Sequence, residues 1–255
     1  MIEHLSARYS PHPFFLPAEN GAPVWRYMDF TKFISLLESR ALFFSRADRL
    51  IDTWEGAYTV ENLRRRHTFL NRANALPGAM HGLSEFNRAL RLHTFVSCWH
   101  LNDAESAAMW KLYVSQNEGI AIQTTFERLV SSFPSGESEM FEVYVGKVTY
   151  LDYEREVFPD GNTFVPFLHK RLSFEHEHEL RAIIQPAFPG GYPLTETEAS
   201  VDGLLVDVDV ETLIQTVYIA PTSEAWFTKL VDDMVKRYGF RFTVRHSDLL
   251  RDPLY

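Results

Sequence analysis

Twenty Phe, eleven Tyr and five Trp in a chain of 255 residues are the feature that most constrains its fold. Each such ring covers about 150–250 Å² when buried, so rings making up 14% of the chain require a sizeable packed core and exclude disorder for most of its length. Apolar residues at 45% and charged residues at 23% are ordinary for a globular domain. Length alone allows one large domain or two small ones.

Charge and cysteine content narrow the function classes. Twenty-five Lys and Arg against 34 Asp and Glu leave a net charge of −9, which argues against a protein that coats duplex DNA by bulk charge. The one candidate for a local basic strip is RRRH (64–67) with Arg72, Arg88 and Arg91, although a solvated helix face is the commoner reading of such residues. The lone Cys98 excludes an intramolecular disulfide and any multi-cysteine zinc site. The opening MIEHLSARYSPHPFF lacks a signal-peptide core, and no apolar run approaches a membrane span, so a cytoplasmic setting without membrane contact is expected.

Pro11, Pro13, Pro17 and Pro23 break any period in residues 1–23, which read as an N-terminal arm. A helix is predicted after Asp29, where Phe30, Phe33, Ile34 and Leu37 share one face. ALFFS (41–45) reads as a buried strand, residues 47–56 as a polar surface loop, and 59–74 and 83–93 as helices. TFVSCWH (94–100) and GIAIQTT (119–125) read as strands around a helix capped by Asp103. Beyond them come a long strand over 141–153 with Gly146 as a bulge, a helix over 164–172, a strand over 176–184 and a loop over 186–193. The last third alternates: strands at 203–209 and 216–220, a helix over 223–239, and a strand at 240–246. No linker divides the chain. The expectation is one α+β domain over 24–255, with a mixed, mostly antiparallel sheet flanked by helices.

Four clusters can carry chemistry. In FEHEHELR (174–181), read as a strand, Glu175, Glu177, Glu179 and Arg181 line one face and His176 and His178 the other. Same-face carboxylates about 7 Å apart, desolvated in a cleft, raise one another's pKa, while Arg181 favours the ionised forms. The two histidines could hold a metal only with a third ligand that the spacing does not nominate. In CWHLNDAESAAMWKLY (98–113), Met109, Trp110 and Tyr113 form either core or the stacking wall of a nucleotide pocket, with Trp99 and His100 at the preceding strand end. In WRYMDF (25–30), Arg26 precedes a helix start that suits phosphate. In DTWEG (52–56), Asp52 and Glu55 are either solvated turn residues or metal chelators. G-x-G-x-x-G, Walker, G-x-S-x-G and H-E-x-x-H motifs are absent, which leaves Rossmann dehydrogenase, P-loop, serine hydrolase and zincin readings without support.

Together the clusters resemble an uncharacterised bacterial family, domain of unknown function 2971. The likeness runs through WRYMDF, ALFFSRADRLIDTWEG, CWHLNDAESAAMWKLY, GIAIQTT, KVTYLDY, KRLSFEHEHELRAI and VYIAP, over about residues 24–221. The family often has Asp-Pro-Phe-Glu where this chain has DTWE, and Trp where it has Phe174. The order Arg, Ser, Glu-x-Glu also resembles the arginine-serine-glutamate ADP-ribosyltransferases. That resemblance implies NAD as substrate, with Arg26 on its phosphates, Ser45 or Ser97 as the serine, and Trp110, Tyr113 and Arg181 as further nucleotide contacts. Glu177 and Glu179 become the catalytic pair, with Glu179 on the ribose, stabilising an oxocarbenium-like transition state.

Three functions follow. The first is an NAD-consuming transferase or glycohydrolase, such as a toxin or phage-defence effector, acting on a nucleic acid or protein acceptor. The second is a metal-dependent nuclease using Asp52, Glu55, Glu177 and Glu179. The third is a non-catalytic binding module in which the aromatic helix is core and the charged strand is surface.

Overall fold

In the computed structural model, residues 3–114, 118–136, 141–186 and 201–253 are described. The opening segment, whose prolines predict no element, contains two short strands, β1 (Glu3–Leu5) and β2 (Ala7–Tyr9). Both add to strands far along the chain, so tertiary pairing rather than local pattern orders them. β3 (Pro23–Asp29) leads into α1 (Phe30–Ser39), capped by Asp29, which buries Phe33, Leu36 and Leu37. β4 (Ala41–Arg46) follows directly, and the polar stretch after it is drawn into the molecule, as Asp52 and Glu55 are buried. α2 (Val60–Arg72) and α3 (Ala79–His93) come next, and of α2 only Asn62 is buried.

β5 (Phe95–Leu101) precedes α4 (Ala107–Tyr113), which is capped by Ser106 and not by Asp103, because the Ser106 hydroxyl accepts from Met109 N–H. β6 (Gly119–Thr125) and α5 (Phe126–Ser131) follow. The strand expected over 141–153 is two, β7 (Phe141–Lys147) and β8 (Thr149–Leu151), and Gly146 sits in register rather than in a bulge. Its missing side chain is needed for another reason: a Cβ there would lie 2.9 Å from the Phe15 backbone. The helix expected over 164–172 is a single 3-10 turn (Val165–Leu168) and then β9 (His169–Arg171). β10 (Glu179–Ile184), β11 (Gly203–Asp207), α6 (Val210–Leu213), β12 (Thr216–Ile219), α7 (Ala225–Arg237) and β13 (Thr243–His246) complete the chain. The loop expected over 186–193 lies outside the described residues beyond Pro186.

The fold is α+β with a mixed, mostly antiparallel sheet ordered β1-β11-β4-β5-β3-β6-β12-β13, and β10, β7 and β2 branch from β5. β5 is the junction. Residues Phe95–His100 pair with β10 on one edge. On the other edge, β4 pairs only with Phe95 and Val96, and β3 only with His100 and Leu101. β3 and β4 therefore splay apart beside residues 97–99, and the sheet forks there. The main core packs α1 and α7 on this sheet through Phe33, Leu37, Phe227, Val231 and Val235.

Candidate functional site

The fork holds a cavity of about 500 Å³. It is bounded by β3 (Arg26, Tyr27), β4 (Phe43, Ser45), β5 (Cys98, Trp99, His100), and by Tyr113, Glu177 and Glu179. Of the residues singled out from sequence, Arg26, Ser45, Tyr113, Glu177 and Glu179 thus line one space. Its size is typical of small-ligand sites, and the rings of Trp25, Tyr27, Phe43, Trp99 and Tyr113 supply apolar wall.

Arg26 lies mid-strand in β3 and spans the fork. Nη1 donates to Ser97 Oγ at 2.8 Å, and Nη2 to the carbonyl oxygen of Phe43 at 2.9 Å. Ser97, rather than Ser45, is therefore the arginine's partner. The guanidinium also lies 5.6 Å from the Trp99 ring centre. Burial lowers it to about 10, so it stays cationic at neutral pH, and among the described residues no carboxylate pairs with it. The α1 N-terminus does not join it in an anion site, because Asp29 already accepts from Lys32 N–H at 2.8 Å.

The Glu-x-Glu segment is not the continuous strand its alternation predicts. Residues Leu172–Glu177 form a 3-10 turn, His178 takes a left-handed backbone (φ 41°), and β10 starts only at Glu179. His176 and His178 are consequently exposed turn residues and not a paired strand face. Glu177 and Glu179 converge instead on Lys170 of β9, whose Nζ lies 2.5 Å from Glu177 Oε2 and 3.4 Å from Glu179 Oε1. Arg181 stands behind them. It is fully buried, donating from Nε to Glu179 and from both terminal nitrogens to Glu55, with a further bond to the Phe167 carbonyl. Asp52 is held by Arg171 at 2.7 Å.

This arrangement separates the two glutamates. Burial, with Glu179 alongside, lifts the Glu177 carboxyl to about 7. Burial also works against ionisation of Glu179, but Arg181 and Lys170 outweigh it and hold that carboxyl at about 2. Both Glu179 oxygens are held by cations, whereas Glu177, bound by Lys170 through Oε2, is the member that lies near neutrality and can exchange a proton.

Three sequence candidates, Ser97, Trp110 and Arg181, do not line the cavity, and Ser97 meets it only through its bond to Arg26. Trp110 packs edge-on against Tyr27 from behind, ring centres 5.0 Å apart, and its indole N–H is taken by Glu105. Arg181 spends its donors within the buried cluster, so it braces the glutamates rather than meeting a nucleotide. Nor do Asp52, Glu55, Glu177 and Glu179 form an open carboxylate nest, since Arg171, Arg181 and Lys170 neutralise them. Among the described residues no group of three His, Cys, Asp or Glu side chains could hold a metal ion.

One residue beside the cleft escaped sequence reasoning as a site group, Lys170, which binds both glutamates. Lys170 gave no signal, being one cation in KRLSFEHE, seven positions before the glutamate it binds. His100, which the sequence places with Trp99 at the strand end beside the candidate nucleotide wall, does line the cleft, opposite Glu179 in the β5–β10 register.

Fold and site together define an α+β protein with an aromatic-walled cleft of small-ligand size at a forked sheet. A solved structure of DarT from Thermus sp. 2.9, in complex with ADP-ribosylated ssDNA, is similar to this chain at a TM-score of 0.40 and 10% identity, covering 91% of this chain and 97% of that one. No protein-family model matches the chain, and no curated protein matches it in sequence. The likeness to domain of unknown function 2971 rests on the quoted motifs alone. No described helix is long and apolar enough to cross a membrane.

Proposed function

We propose that the cleft binds NAD and breaks its nicotinamide–ribose bond, passing ADP-ribose to water or to a nucleic-acid or protein acceptor. The observation that carries the reading is the presence, in one aromatic-walled cavity, of a cation without a carboxylate partner among the described residues and a carboxyl poised near neutrality: Arg26 and Glu177. A diphosphate supplies the anion that Arg26 lacks. The rings give an apolar surface against which a base or nicotinamide can stack.

The chemistry follows from the carboxylates. Cleavage of the glycosidic bond sends its electron pair to neutral nicotinamide and leaves positive charge on the ribosyl carbon and ring oxygen. An ionised Glu177 stabilises that charge, and then takes the proton released when an acceptor O–H or N–H forms the new bond to carbon. Glu179, fixed by Lys170 and Arg181, orients the neighbouring chain and keeps its own charge. The roles within the pair thus differ from those that the family resemblance implies: Glu177 carries the proton chemistry.

Incubation of the purified chain with NAD, with free nicotinamide as readout, tests this. Release by the parent and at least 100-fold less by Glu177→Gln supports it; equal traces from both, at the level of buffer, refute it.

A further inference from the structure

His100 carries an unmet hydrogen-bonding demand. Its side chain is only 7% exposed and lines the cleft, and its Nε2 is buried without a partner among the described residues. The other ring nitrogen is fully committed: Nδ1 lies 2.6 Å from the Glu177 carbonyl oxygen. A carbonyl can only accept, so Nδ1 must carry the hydrogen, and in the neutral ring this leaves the lone pair on Nε2.

The surroundings keep the ring neutral. Burial lowers the imidazole's pKa and outweighs the opposing hydrogen bond to the Glu177 carbonyl, and His178, with ring centres 6.0 Å apart, adds a smaller lowering. Tyr27 faces it at 6.3 Å, and Glu179 is its directly paired residue on β10, so their side chains share one face of the sheet. A buried acceptor without a donor is costly, and such atoms persist in folded proteins where something else completes them.

We propose that His100 is a specificity-determining residue of the cleft, whose Nε2 accepts a hydrogen bond from an N–H or O–H donor of the bound nucleotide. The inference rests on the NAD reading. NAD offers two such donors near a ribosyl-stabilising carboxylate, the carboxamide N–H of nicotinamide and the ribose hydroxyls. His100 thereby joins recognition to chemistry, because the same ring that reads the ligand anchors the backbone of Glu177 through Nδ1.

The test uses the full chain titrated calorimetrically with NAD and with ADP-ribose, which keeps the ribose hydroxyls and lacks the carboxamide. His100→Asn can keep a donor for the Glu177 carbonyl while losing the acceptor, and His100→Gln can restore an acceptor near the Nε2 position. NAD affinity is expected to fall about tenfold or more in H100N and to recover in H100Q to within about threefold of the parent. Loss for NAD alone assigns the donor to the carboxamide; loss for both assigns it to a ribose hydroxyl. Nitrogen-15 spectra of the parent's imidazoles give a readout independent of how the variants fold: the Nε2 resonance of His100 moves on saturation with NAD. Binding by the parent with that resonance unmoved, or with H100N as tight as the parent, overturns the inference and leaves the NAD reading standing. Absence of binding of either nucleotide to the parent overturns both.

Discussion

Arg181 and Glu55, 126 positions apart, meet in a two-point contact of 2.6 and 2.7 Å with no water access to either side chain. The pair ties the loop after β4 to the strand that begins with Glu179. Removing one partner leaves an unpaired buried charge, which costs about 3–5 kcal/mol. Arg181→Met is therefore expected to lower stability by that amount in denaturant unfolding. The double variant with Glu55→Gln recovers part of the loss, since Glu55 is then no longer stranded, and only part, because Glu179 loses Arg181 and keeps Lys170. An R181M protein as stable as its parent would show that the loop is held by other contacts.

Glu177 sets a pH signature. A carboxyl lifted to about 7 is half neutral at pH 7, and only the ionised form stabilises ribosyl cation. Nicotinamide release should rise with pH and level off above about 8, while Glu177→Gln gives a low, flat profile. Stability moves in the opposite direction. Because the folded value lies above the ordinary 4.5, the favourable contribution is complete below about 4.5 and is lost as pH rises through about 7. The parent's stability relative to E177Q is thus expected to fall between pH 5 and 8. A difference that is constant over this window contradicts the raised value.

Legibility of the fold tracks how local each determinant is. Phe33 and Leu37 share a helical face one turn apart, and TFVSCWH is a short β-rich run, so α1 and β5 are readable from sequence. β1 and β2 are not, because three-residue strands are defined only by the distant β11 and β7. The alternating FEHEHELR copies a strand's period of two, yet the chain turns there, since Glu177 is pulled to Lys170 and His178 adopts a left-handed backbone. The candidate site was legible as residue types. Which arginine lies in the cleft was not: Arg26 and Arg181 look alike in sequence, and only the pairing of Arg181 with Glu55 and Glu179 separates a brace from a ligand-facing cation.

Arg26 is expected to act on ligand binding through both charge and shape. Its two donors bridge Ser97 and the Phe43 carbonyl, a geometry that lysine's single nitrogen cannot reproduce. Arg26→Lys should weaken NAD and ADP-ribose about equally, by roughly tenfold, and Arg26→Met by more. Nicotinamide riboside, which lacks the diphosphate, should bind R26M no worse than it binds the parent. A loss shared by the riboside would mean that Arg26 holds the fork and does not read phosphate.

Cys98 gives a direct measure of how enclosed the cleft is. Its thiol lines the cavity, and burial, reinforced by Glu179, pushes it up to about 12 from an ordinary 9.0. The reactive species is the thiolate, so at neutral pH its population is reduced about a thousandfold relative to a free cysteine. Reaction with a disulfide reagent should be negligible in the native protein at pH 8 and reach one equivalent after unfolding, as the chain has one cysteine. Occupation of the cleft by nucleotide should slow the residual native reaction further, because the thiol and the ligand share a wall. Rapid native labelling at pH 8, unaffected by nucleotide, would place Cys98 outside an enclosed cleft.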